Sequence, residues 1–320
     1  MKTSPLFCRI VYGFIAICAV VLWVGSPPSL RADETPAAAG QPRLFASPED
    51  ATKALLAATK AKDKTAIHEI FGPQVQELLS GDPVQDAAEF TSFAKALAQM
   101  CNPVRKGDDC IVLYIGAENW PFPIPLVKKD GQWFFDTAAG KDEVINRRIG
   151  GDEITAIGVC HAYVAAQREY ASEDRAGDGV LKYAQKMMST AGKKDGLYWE
   201  PAKDEALSPF GPLVAEAREE GYGKNHQKGH PQPFHGYIFK ILTAQGAAAP
   251  GGQYNYIING NMIAGFALIA YPAHWGESGI MTFIVNQQGR VYQCNLGENS
   301  TELAATITEF NPDSQWTLVQ

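Results

Sequence analysis

Apolar positions recur at helical spacing early in this chain. Ala51, Ala54, Leu55, Leu56 and Ala58 form a stripe behind Ser47-Pro48-Glu49-Asp50, which reads as a helix start: Ser as N-cap, Pro in the first turn, then acids. Asp63 opens a second short helix that Gly72 ends, and Asp82-Pro83 opens a third that runs to about Met100. The rhythm then shortens to that of strands. Ile111–Ile115, Ile124–Lys129 and Gln132–Asp136 are predicted strands, the last two joined at Asp130-Gly131. Pairing around that turn sets Val127 opposite Phe134 and Leu126 opposite Phe135. Pro121, Pro123 and Pro125 cannot donate to a ladder, so this strand begins at an edge or a bulge.

Helical spacing returns over Asp142–Arg148 and over Asp152–Tyr170. The second segment is apolar nearly all round (Ile154, Ile157, Val159, Cys160, Tyr163, Val164), which predicts a buried helix. Pro212–Glu220 predicts another helix. Five strands follow: Tyr237–Leu242, Tyr254–Ile258, Phe266–Tyr271, Ile280–Asn286 and Val291–Cys294. Helices and then meandering strands, with no alternating βαβ pattern, predict an α+β fold. The expected architecture is N-terminal helices with a curved antiparallel sheet (45–150), then a long buried helix packed on an antiparallel meander (151–320).

The first 32 residues have a different character. Lys2 and Arg9 precede the apolar run Ile10–Val24, and Ala32 precedes Asp33-Glu34, as in a signal peptide; an uncleaved anchor is the alternative. Residues 33–44 are rich in Pro, Ala and Gly and read as a disordered leader. An export segment predicts a periplasmic or secreted protein with no stable membrane span once the signal is cleaved. Removing Lys2, Arg9 and Arg31 from the 28 basic residues leaves 25 against 35 acidic ones, a net charge of −10. That balance argues against nonspecific nucleic-acid binding, which rests on neutralising phosphates.

Export bears on the cysteines, because disulfides persist in oxidising compartments. Cys101, Cys110, Cys160 and Cys294 follow the signal, and four cysteines allow three pairings. The turn-rich loop between Cys101 and Cys110 favours joining those two, which leaves Cys160 with Cys294; four free thiols are the alternative.

Several long motifs stand together: Trp120–Val127 (WPFPIPLV), Trp133–Gly140 (WFFDTAAG), Asn146–Gly150 (NRRIG), Gln167–Tyr170 (QREY), Lys194–Trp199 (KDGLYW), Ser208–Leu213 (SPFGPL), Phe234–Tyr237 (FHGY) and Gly279–Asn286 (GIMTFIVN). With these the chain, from about residue 45 to its end, resembles the bacterial family of domain of unknown function 2950. The resemblance implies an exported bacterial protein and carries no activity. Two weaker likenesses concern fold alone. The first half, with Val127–Trp133, is similar to the nuclear-transport-factor-like cone fold. The second half, with Gly236–Phe239, Ala270–Ala273 and Thr282–Gly289, is similar to the globular heads of pilins and pseudopilins. A true pilin carries its apolar spine at the mature N-terminus, whereas here it is internal.

Candidate chemistry is sparse. Asp174 and Asp178, with Gly179 behind them, occupy positions 1, 5 and 6 of a calcium-loop pattern, but Ala176 and Gln185 stand where further ligands belong. A solvated acidic turn is the alternative. His226, His230 and His235 lie in a Gly/Pro/Gln-rich segment whose spacing matches no standard metal site; His235 abuts a strand. Arg147 and Arg148 follow Asp142-Glu143 and suit either an ordering ion pair between domains or an anion-binding fork. Tyr198, Trp199 and Trp275 fall in predicted loops and are the better exposed candidates for an aromatic binding surface. Nucleophile-elbow, P-loop, dinucleotide and His-Glu-x-x-His motifs do not occur. These readings converge on a noncatalytic envelope binding or assembly factor whose partner is an envelope protein or polymer. The competing reading is an envelope hydrolase or ligand-binding enzyme with Arg147, Arg148 and His235 in one interdomain cleft.

Overall fold

A computed structural model describes residues 40–203, 205–223 and 232–319 of the chain. The signal-like segment, most of the leader, and His226 and His230 lie outside these residues. The fold is α+β, and the chain divides into two compact units with the boundary between Arg148 and Ile149.

In the N-terminal unit, α1 (Pro48–Ala61), α2 (Lys64–Phe71) and α3 (Pro83–Gln99) begin at Ser47, Asp63 and Asp82. Each of these side chains accepts a hydrogen bond from a first-turn amide that has no partner within the helix. Gly72 ends α2 at φ 75°. The sheet follows: β1 (Cys101–Arg105), β2 (Cys110–Ile115), β3 (Trp120–Pro121), β4 (Leu126–Lys129) and β5 (Gln132–Phe135). The order is β1-β2-β4-β5, with β3 also beside β2. β4 and β5 pair Leu126 with Phe135 and Val127 with Phe134, the predicted register around Asp130-Gly131. Phe71, Phe93, Phe122 and Phe135 form one aromatic cluster at the centre of the core, with adjacent ring centroids 5.1 to 6.4 Å apart.

The predicted disulfide between Cys101 and Cys110 is corrected here. The loop expected between them is largely strand: Cys101 pairs with Ile115 at one end of the β1–β2 ladder, and Cys110 accepts from the amide of Lys106 at the other. At about 3.4 Å per residue the two lie well beyond the roughly 7 Å between Cα atoms that a disulfide spans. Cys160 and Cys294 are free thiols as well. Cys160 sits in the C-terminal core, and Cys294 ends its strand opposite Thr282, outside that cluster.

α4 (Thr137–Tyr170) is one helix of 34 residues, where two were expected. The helix runs through Gly150-Gly151, where Gly150 keeps helical backbone and no atom from outside the helix approaches where its Cβ would be. The helix is not apolar all round either. Ala156, Val159, Cys160, Tyr163, Val164 and Gln167 are buried, while Ile154, His161, Ala165 and Arg168 form an exposed stripe.

The C-terminal unit continues with α5 (Gly211–Glu220), β6 (Tyr237–Leu242), β7 (Ala244–Gln245), β8 (Tyr254–Asn255), β9 (Ile257–Ile258), β10 (Asn261–Met262), β11 (Ala267–Pro272), β12 (Thr282–Asn286), β13 (Val291–Cys294), α6 (Ser300–Thr306), β14 (Glu309–Phe310) and β15 (Thr317–Leu318). The main sheet is antiparallel in the order β15-β13-β12-β11-β6, and every residue of β11 and β12 is buried. Tyr163 of α4 donates its hydroxyl to the Ala267 carbonyl of β11 (3.1 Å), tying that helix to the sheet. Lys240 of β6 donates to the carbonyls of Ala304 (3.0 Å) and Ala305 (2.7 Å) and so caps the end of α6. The predicted strand Tyr254–Ile258 is broken at Tyr256, which is fully buried, and the Asn255 side chain accepts from the Ile257 amide as the chain bends.

Candidate functional site

Two short chain segments build a groove in the C-terminal unit. Met187 and Met188 run beside Tyr198: the Tyr198 amide donates to Met187 (2.9 Å), and the Ser189 amide donates to Tyr198 (2.7 Å). Gly196 makes this approach possible, since a Cβ there would stand 2.7 Å from the Met188 carbonyl carbon. The turn between the segments is stapled by Asp195. Its carboxylate accepts from the Thr190 amide (2.7 Å), the Thr190 hydroxyl (2.9 Å) and the Lys186 ammonium (2.7 Å). Lys186 first, then desolvation opposing it and the Thr190 donors, holds the Asp195 carboxyl well below the usual carboxylate range.

The resulting cleft has a volume of about 560 Å³, and Met188, Thr190, Lys194, Tyr198, Trp199 and Glu205 are among the residues that line it. Tyr198 and Trp199 are not loop-exposed as the sequence suggested; both are buried at 6% and 8% exposure, with cations over their rings. Arg218 lies 5.2 Å from the Tyr198 centroid, and Arg175 and Lys194 lie 5.3 and 5.4 Å from that of Trp199. These charges are internally matched. Arg218 pairs with Glu200 (2.8 Å), which also accepts from the Tyr198 hydroxyl (2.6 Å), and Lys194 pairs with Glu205. The indole Nε1–H of Trp199 is buried with no acceptor among the described residues. Only Tyr198 and Trp199 of this group stood out in the sequence. Arg175, Arg218 and Glu200 come from separated stretches, and no local signal links them.

Of the other candidates, Arg147 and Arg148 belong to the N-terminal unit and His235, Trp275 and Ser278 to the C-terminal one. Arg147 pairs with Glu143 (2.5 Å) one turn earlier, donates to the Pro121 carbonyl (2.9 Å) and stacks on Trp120 at 4.2 Å. Arg148 is fully buried. It donates to the Leu78 carbonyl and faces Glu89 of α3 at 3.9 Å, rather than Asp142 or Glu143. Burial first, then neighbouring Asp86, raises Glu89 to about 8 against the opposing pull of Arg148. His235 occupies a tight turn with Gly236, both at positive φ (45° and 70°), between Phe234 and Tyr237, which bond each other's backbones. Its Nε2 meets Glu220 at 2.8 Å, and its ring packs on Phe234. Trp275 donates to Asn295 (3.0 Å). Ser278 exchanges hydrogen bonds with the backbone of His274.

Asp174 turns its carboxylate onto the amides of Gly177 (2.9 Å), Asp178 (3.3 Å) and Gly179 (2.8 Å), which lower its pKa, Gly179 most. Asp178 accepts from Val180 and pairs with Lys182. Among the described residues no three His, Cys, Asp or Glu side chains are grouped to hold a metal ion, and no helix is long and apolar enough to cross a membrane.

No curated protein and no solved structure matches the chain. The profile of one family, described as Protein of unknown function (DUF2950), matches residues 42–319, and the motifs from Trp120 to Asn286 fall inside that span; the chain belongs to this family.

Proposed function

We propose that the protein is an exported, noncatalytic binding factor of the cell envelope that takes an uncharged segment of an envelope protein or polymer into the Tyr198–Trp199 groove. One observation carries the reading. The groove is walled by Met188, Tyr198 and Trp199, and three acid–base pairs around it, Lys186–Asp195, Lys194–Glu205 and Arg218–Glu200, are spent on one another; Lys193 is the lining base outside these pairs. Such a surface offers apolar area and hydrogen bonds, and beyond Lys193 it would have to break an ion pair to take a charge. Arg218 stands over Tyr198, and Arg175 and Lys194 over Trp199, so the ligand contacts what the cations leave of these rings and the neighbouring Met188. Export rests on the signal-like first 32 residues, and the cone-like and pilin-like likenesses of the two units fit a binding or assembly role.

The test is retention of envelope components by the immobilised protein. Met188→Arg fills the groove mouth from a half-exposed position without touching the core. Wild type is expected to retain a component that the variant loses. Equal retention by both discards the groove, and turnover of the retained material discards the noncatalytic reading.

A further inference from the structure

The last turn of α5 is braced from two sides. Successive helical residues turn by about 100°, so Arg218 and Glu220 project on nearly opposite sides. Arg218 reaches the groove, where it pairs with Glu200 (2.8 Å) and lies over the Tyr198 ring at 5.2 Å. Glu220 reaches the turn before β6, where it meets Nε2 of His235 at 2.8 Å. The rest of the helix is anchored at its other end. Gly211 is buried there, Leu213 and Val214 pack half-buried on the core, and the Phe210 amide donates to Leu197 (3.0 Å) of the groove segment. Arg218 and Glu200 are both exposed, and exposed ion pairs hold a side chain weakly. The place of Arg218 therefore depends on where α5 ends.

His235 offers that end a rigid support. It sits at φ 45°, a conformation that a side chain keeps only where its surroundings hold it. Gly236 beside it is packed so closely that a Cβ would stand 2.6 Å from the Ser278 Cβ and 2.9 Å from Asp152 Oδ2, and Tyr237 is fully buried. The His235 ring lies against Phe234 (4.6 Å) and Tyr222 (5.6 Å). Tyr222 follows the α5 cap at Gly221, packs on Phe234 (5.0 Å) and accepts from the His235 amide (3.3 Å). We infer that His235 is a positioning residue for the groove: through Glu220 and Tyr222 it fixes the end of α5 and so keeps Arg218 over Tyr198. Its consequence rests on the groove as the binding surface, since Arg218 decides how much of the Tyr198 ring a ligand meets.

Nuclear magnetic resonance of the protein without ligand tests it. The Tyr198 ring current shifts the side-chain protons of a cation over its face upfield, so the Arg218 signals report where that side chain lies. His235→Asn keeps a residue that tolerates positive φ but removes the ring and the reach to Glu220. In this variant the Arg218 signals are expected to move toward those of a free arginine. The amides of Arg218 to Tyr222 should exchange at least about threefold faster, as for the loss of one partly exposed pair and one ring contact. Amides of β11 and β12 should keep their rates, which a general loss of stability would not allow. Glu220→Gln, which retains a hydrogen bond to the imidazole, should move the Arg218 signals less and in the same direction. Arg218 signals unmoved in His235→Asn overturn the inference, and so does a movement matched by faster exchange throughout β11 and β12. Equal retention of envelope components by wild type and Met188→Arg would remove the groove as a binding surface, while the Arg218 signals would still decide the positioning.

Discussion

Glu89 and Arg148 face each other at 3.9 Å, each almost wholly out of water, and Asp86 and Asp82 lie near enough to act on Glu89. Removing a carboxylate from water disfavours its charged form, and here that effect exceeds the attraction of the guanidinium. The folded state therefore holds the Glu89 proton more tightly than the unfolded chain does. Its contribution to stability is complete below about pH 4.5, declines as pH rises, and is gone above about 8. Burial raises Asp86 too, so it adds in the same direction. The expected outcome is a melting temperature that falls between those pH values. Glu89→Gln, which cannot ionise, should remove up to roughly 1.4 kcal/mol per pH unit of that slope. A slope unchanged in Glu89→Gln would show that Glu89 does not titrate there. Arg148 was visible in the sequence as part of a double arginine, but its partner was not, because Glu89 is 59 residues away and only packing brings it close.

Among the elements, α4 shows how a local rule can be overridden. Two adjacent glycines lower helix propensity by about 1 kcal/mol each, yet the helix continues through them, because packing on either side outweighs the local cost. Gly140 and Gly150 make opposite predictions within this helix. A Cβ at Gly140 would stand 2.7 Å from the Ile124 Cα and 2.8 Å from the Pro123 carbonyl oxygen, whereas at Gly150 it would meet nothing. Gly150→Ala should raise stability by about 0.5–1 kcal/mol, and Gly140→Ala should lower it by about 1–3 kcal/mol, both read from denaturant unfolding. Equal effects of the two would refute the packing argument. The caps of α1, α2 and α3, the Asp130-Gly131 turn and the β4–β5 register were legible because each depends on neighbours within a few residues. β1, α6, β14 and β15 were missed. Cys101–Arg105 carries a proline and polar side chains, and its strand geometry comes from pairing with β2. The two-residue β14 and β15 exist only through β7 and β13.

At the scale of the whole molecule, two cores without disulfides carry the stability. Burial pushes the Cys160 thiol up to about 12, so it should resist alkylation in the folded protein. Cys101, Cys110, Cys160 and Cys294 should all alkylate after unfolding without reductant, as peptide mapping would show; any one found oxidised to another would refute their assignment as free thiols. The sequence by itself determined the family, the α+β class, most helix starts and one hairpin register. These follow from capping chemistry, side-chain periodicity and turn residues, all of which act over short separations. Only the tertiary structure decided that Tyr198 and Trp199 are buried beneath Arg218 of α5 and Arg175, that Arg148 meets Glu89, and that β6 ends its sheet. Each depends on groups far apart in the chain, whose meeting is set by packing within one core and leaves no periodic trace in the order of residues.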